Sequence, residues 1–92
     1  MRVIIREAAY ADLERIHTWI VQDRPSAANS VISRILDAAE RLALFPKMGR
    51  LGAVAGTREW VVHGLPYIIV YQVDDVLDEL SVAAVFHAAR NR

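Results

Sequence analysis

The 92-residue sequence predicts an α+β fold of element order β-α-α-β-β-β, a helical hairpin packed on an antiparallel sheet. Three observations carry this expectation. Two consecutive runs place apolar residues at helical spacing and are separated only by Asp23-Arg24-Pro25. Three later runs are rich in β-branched and aromatic residues and are joined by short turns. A short β-branched run flanked by charge opens the chain.

Residues 2–6 (Arg-Val-Ile-Ile-Arg) read as the first strand. From Ala8 the period changes: Tyr10, Leu13, Ile16, Ile20 and Val21 recur at helical spacing, with Asp12, Glu14 and Arg15 on the other side. Pro25 ends this helix, because the residue before proline avoids the α region. It also suits the first turn of the next, where its missing N–H is no loss. The second helix carries the clearest stripe, from Ala28 through Ile35 and Leu42 to Phe45, with Leu36 included and Arg34, Asp37 and Arg41 off it. So short a break folds the two helices back on each other. Residues 46–57 read as a glycine-containing loop. Arg58–His63, Tyr67–Val73 and Glu79–His87 then form a meander turned at Gly64-Leu65-Pro66 and at 74–78. The whole chain, residues 1–92, is expected to make one domain.

Composition narrows the function classes. A 54% hydrophobic content supplies one well-filled core and more besides. The absence of cysteine removes disulfides and thiol chemistry and suits a cytoplasmic protein. The longest apolar run, residues 65–73, is far too short for a membrane span, and the N-terminus lacks a signal-peptide core. Eleven basic and eleven acidic residues balance, whereas proteins that grip nucleic-acid phosphates carry a basic excess. Direct nucleic-acid binding is therefore not expected.

The strands contain more apolar side chains than one helical hairpin can shelter. Tyr67, Ile69, Tyr71 and Val73 alternate with Ile68 and Val70; Leu80, Val82, Ala84 and Phe86 alternate with Ala83 and Val85. A few hundred Å² left exposed, at about 25 cal/mol per Å², is a strong reason to bind a partner. The alternatives are that the loop 46–57 folds across the second face or that the chain self-associates.

Chemistry is sparse. His17, His63 and His87 lack metal-ligand spacing, no glycine cluster opens a helix after a strand, and the serines lack a nucleophile-elbow context. No cofactor is expected. Arg50, Arg58, His87 and Arg90 form the one constellation to weigh as catalytic. A histidine can act as acid or base in RNA cleavage, and arginines can stabilise a phosphorane. Arginines beside a histidine are also common on surfaces, and Glu59 is close enough in sequence to pair with them.

The chain as a whole resembles the RelE/ParE toxins. The resemblance rests on the element order, on Ala9-x-x-Asp12-Leu13-x-x-Ile16 and on Pro25-x-x-Ala28. It continues through Leu44-Phe45-Pro46-x-Met48-Gly49-Arg50, Arg58, Tyr67-x-Ile69-x-Tyr71 and Val85-x-His87-x-x-Arg90. The Pro-x-Met-Gly-Arg and His-x-x-Arg segments are most similar to the ParE branch. The RNases of the RelE branch carry an arginine directly after the tyrosine opening the middle strand; here that position is Ile68.

The resemblance implies a toxin of a type II toxin–antitoxin system that is not an enzyme, inhibits DNA gyrase and is neutralised by a ParD-like antitoxin wrapped around it. The alternatives it leaves are a ribosome-dependent mRNA endoribonuclease and a degenerate toxin that only binds antitoxin. Expected antitoxin contacts are Trp19, Trp60, Tyr67, Ile69, Tyr71 and Phe86, since aromatic anchors dominate such interfaces. Each could equally be core, and for Tyr71 and Phe86 the core is the expected place. Expected target contacts are Arg50, Arg58, His87 and Arg90.

Overall fold

The computed structural model describes residues 1–89. Strand β1 (Arg2–Ile5) leads into α1 (Glu7–Asp23) and α2 (Pro25–Leu44), followed by β2 (Arg50–Leu51), β3 (Arg58–Val61), β4 (Tyr67–Asp74) and β5 (Glu79–His87). The five strands form one sheet in the order β1-β5-β4-β3-β2. The expected meander is present and antiparallel throughout. Strand β1, however, pairs with β5 in parallel, so the sheet is mixed rather than purely antiparallel. A parallel neighbour requires a long connection, and here the helices and the whole meander supply it.

The helical hairpin forms where expected. Arg24 is non-helical, its N–H closes α1 on the Ile20 carbonyl, and Pro25 occupies the first turn of α2. Ala9, Leu13 and Ile16 of α1 and Ala28, Ile35, Ala39 and Leu42 of α2 are buried. Tyr10 and Val21, expected on the inner stripe, are exposed. At about 100° per residue each lies roughly a quarter turn or more from the line through Ala9, Leu13 and Ile16. The same offset from Ile35 leaves Leu36 at the rim, and Phe45 falls beyond the end of α2 and is exposed.

The helices pack on Tyr67, Ile69 and Tyr71 of β4 and on Leu80, Val82 and Val85 of β5. This set corrects the face assignment drawn from alternation alone. Val70 pairs with Ala84 but Tyr71 pairs with Val82, so Ala83 is an extra residue in β5. A bulge of one residue inverts the side-chain alternation beyond it. Val85, opposite Ile69, therefore joins Leu80 and Val82 beneath the helices. Ala84 and Phe86, opposite Val70 and Ile68, turn to the outer face. From α1, Asp12 reaches the bulged strand: its Oδ2 accepts the Val85 N–H at 2.9 Å, and its Oδ1 pairs with Arg15.

The outer face thus carries Val61, Ile68, Val70, Ala84 and Phe86, joined by Ile4 from β1. The loop 46–57 does not fold over it. Arg50 and Leu51 join the edge of the sheet as β2, and residues 52–57 close the β2–β3 hairpin through Gly52 N–H to Thr57 O at 2.9 Å. Among the described residues no helix is long and apolar enough to cross a membrane.

Candidate functional site

The segment Pro46 to Arg50 is fixed from below by Tyr71. The Tyr71 hydroxyl, on a fully buried side chain, donates to the Pro46 carbonyl at 2.8 Å and accepts the Gly49 N–H at 2.9 Å. Arg58, opposite Tyr71 in the sheet, donates from Nη1 to the Gly49 carbonyl at 2.8 Å. Glycine is required here: an added Cβ would lie 2.5 Å from the Tyr71 hydroxyl oxygen and 2.8 Å from the Glu59 carbonyl oxygen. Burial pushes the Tyr71 hydroxyl above its usual pKa; the Gly49 hydrogen bond and the Arg58 charge only partly oppose this. Tyr71 therefore stays protonated and serves as an anchor rather than as a base near neutral pH.

Of the residues expected to contact a target, the three described ones, Arg50, Arg58 and His87, do not converge as one cluster. Arg50 pairs with Glu59 at 3.1 Å at the sheet edge. Arg58 holds the Gly49 carbonyl and lines a hollow of about 280 Å³ with Lys47, Leu51, Thr57 and Asp75. His87 lies on the other side of β4, opposite Tyr67, while Arg58 is opposite Tyr71. Four residues of strand correspond to about 13 Å at ~3.3 Å each, so His87 cannot share a phosphate with Arg58. The His87 ring meets Tyr67 edge-to-face at 5.4 Å, and its Nδ1 accepts the Ala89 N–H at 3.1 Å, which leaves a neutral ring protonated at Nε2. Arg90 lies outside the described residues. Among the described residues no three histidine, aspartate or glutamate side chains gather to hold a metal.

The six expected antitoxin contacts divide in three. Ile69 and Tyr71 have no exposed surface and Tyr67 is buried, so none of these side chains offers area to a partner; they are core. Their burial beneath the hairpin follows from their alternation along β4. Phe86, expected in the core, is half-buried on the outer face because of the Ala83 bulge. Trp19 is 54% exposed on α1, and Trp60 is half-buried on β3 at the margin of the core.

Sequence reasoning missed a hollow of about 270 Å³ between α2 and β3. Arg34, Asp37, Ala38 and Arg41 line it from the helix, Trp60 and Val62 from the strand side. Arg34 also donates from Nη2 to the His63 carbonyl at 2.8 Å, tying α2 to the β3–β4 turn. The signal was present in the spacing. Arg34, Ala38 and Arg41 recur at intervals of four and three on one flank of α2, but nothing in the sequence says which strand they meet.

A family model described as the ParE toxin of the type II toxin–antitoxin system parDE matches residues 3–92. The chain belongs to the ParE toxin family. Toxin RelE2 of Caulobacter vibrioides is similar at 44% identity over 82 residues, covering 89% of each chain. Among solved structures, the chromosomal ParDE system of P. aeruginosa superposes with TM-score 0.83 at 21% identity, covering 95% of each chain. The toxin–antitoxin complex RelBE2 of Mycobacterium tuberculosis superposes with TM-score 0.71 at 20% identity, covering 94% of this chain and 95% of that one. These structural likenesses establish the fold of the ParE family member described above. In this toxin the segment Pro46-Lys47-Met48-Gly49-Arg50 is the one that Tyr71 and Arg58 clamp.

Proposed function

We propose that this ParE-family toxin acts without catalysis, by binding DNA gyrase in the cytoplasm and blocking replication, and that a ParD-like antitoxin neutralises it. The observation that carries this reading is the state of the groups an RNase would need. Ile68, standing where the RNase branch carries an arginine, is apolar and buried on the sheet face opposite the helices. Arg58 and Arg50 are engaged with Gly49 and Glu59, and His87 is a strand's width and about 13 Å of strand away from Arg58. Cleavage by 2′-OH attack requires base, acid and cation around one phosphate. An antitoxin partner is supported by the structural likenesses, which are toxin–antitoxin systems, and by the outer face, where Val61 is exposed and Val70 and Phe86 are half-buried.

A supercoiling assay with purified gyrase tests the proposal directly. The expected result is concentration-dependent loss of supercoiling that the antitoxin reverses. Intact supercoiling together with ribosome-dependent mRNA cleavage, abolished by His87→Ala, would establish the enzymatic alternative instead.

A further inference from the structure

Three segments meet at the end of β4 opposite His87. They are the chain just after α2, the β2–β3 hairpin and the β4–β5 turn, and Pro46, Leu51 and Asp75 bring them together around one hollow of about 280 Å³. Among the described residues eleven large apolar side chains are exposed, and six of them sit on or beside these segments: Leu44, Phe45, Leu51, Val54, Val76 and Leu77. Single apolar residues scattered over a surface are ordinary, but a concentration of this kind marks a contact with another protein.

Val76 and Leu77 are held in place before any partner arrives. Asp74 Oδ1 accepts the N–H groups of both, at 3.0 and 2.9 Å. Asp78 adopts a left-handed φ of 54°, and its carbonyl accepts the Arg2 N–H at 2.8 Å. A turn fixed in this way has little freedom left to lose on binding.

The charges beside the patch select its occupant. Exposed Asp75 and Asp78 border it from the turn, and exposed Lys47 borders it from the segment after α2. Among the described residues none of these three forms an ion pair. Carboxylates on the turn oppose an anionic lipid surface or a nucleic acid. Acid on one side and base on the other instead make the patch its own complement. A two-fold axis through the hollow sets Lys47 of each copy against Asp75 of the other, with the apolar side chains between them. Self-complementarity is what a closed two-fold contact requires.

We propose that this end of the toxin is a self-association surface, on which a second copy of the chain covers Leu51, Val76 and Leu77 about a two-fold axis and pairs Lys47 with Asp75. The contact stands apart from the gyrase and antitoxin readings. A small patch gives a weak dimer, with a dissociation constant on the order of 10–100 µM.

Sedimentation equilibrium of the purified toxin, free of antitoxin and over concentrations spanning that constant, tests the proposal. The mass is expected to rise from one chain to two and no further. Val76→Asp, Lys47→Glu and Asp75→Lys each weaken the dimer by about tenfold or more. Their melts, taken well below the dissociation constant, match wild type, because all three positions are exposed. An equimolar mixture of Lys47→Glu and Asp75→Lys chains recovers the dimer. Both charge contacts of the mixed pair join opposite signs, whereas each variant repels its own kind. A wild-type toxin that stays monomeric throughout overturns the proposal. So does a dimer indifferent to the three substitutions, a mass that grows beyond two chains, or a mixture that stays apart. A monomeric toxin whose complex with antitoxin is weakened by Val76→Asp assigns the patch to the antitoxin and likewise overturns it.

Discussion

Replacing Tyr71 by phenylalanine isolates the anchor of the 46–50 segment, since the ring is kept and only the hydroxyl is lost. The hydroxyl serves the Gly49 N–H, which is buried, and the Pro46 carbonyl, which is partly buried. A stranded buried donor costs about 1–3 kcal/mol, and a carbonyl that water still reaches about 0.5–1 kcal/mol, so Tyr71→Phe should destabilise by about 2–4 kcal/mol. For a domain of this length, at ~4–8 °C per kcal/mol, Tm should fall by roughly 8–32 °C. Urea and thermal unfolding of both chains measure this. The direction of the pKa shift supplies a second readout. The folded hydroxyl titrates above its unfolded value of 10.0, so its contribution is complete below about pH 10. It is lost as pH rises from there through the higher folded value. Wild type should therefore weaken in that alkaline window by more than Tyr71→Phe does. A variant within about 0.5 kcal/mol of wild type, with an identical alkaline limb, would refute the anchoring argument.

Three other outcomes follow from the packing. Asp12→Ala removes the acceptor of the Val85 N–H at the bulged strand and should cost about 1–3 kcal/mol; denaturant melts measure it, and faster exchange of the Val85 amide identifies the cause. Leu42→Ala, at a side chain with no exposed surface, should cost about 2–5 kcal/mol by the same melts. Val76→Asp, at the 93%-exposed tip of the β4–β5 turn, should stay within about 0.5 kcal/mol of wild type, because Asp74 Oδ1 holds that turn through backbone N–H groups alone.

Much of the fold is legible along the chain. Period, proline position and turn composition place both helices and the three long strands, because each depends on residues close in sequence. The same local signals mark residues 46–57 as a glycine-containing loop without saying what Gly49 meets. Three features escaped. The Ala83 bulge has no signature in a run of small and β-branched residues, and it alone sends Val85 inward and Phe86 outward. The parallel pairing of β1 with β5 joins residues nearly eighty positions apart, beyond the reach of any local pattern. The separation of Arg58 from His87 follows from their registers on opposite sides of β4.

What the sequence by itself determined is the set of elements and the excess of apolar strand residues, both properties of local order and composition. The tertiary structure alone decided which of those apolar residues a partner can touch. Side-chain direction in a sheet depends on register, a single extra residue inverts it, and register is set by strands that meet only after the chain has folded.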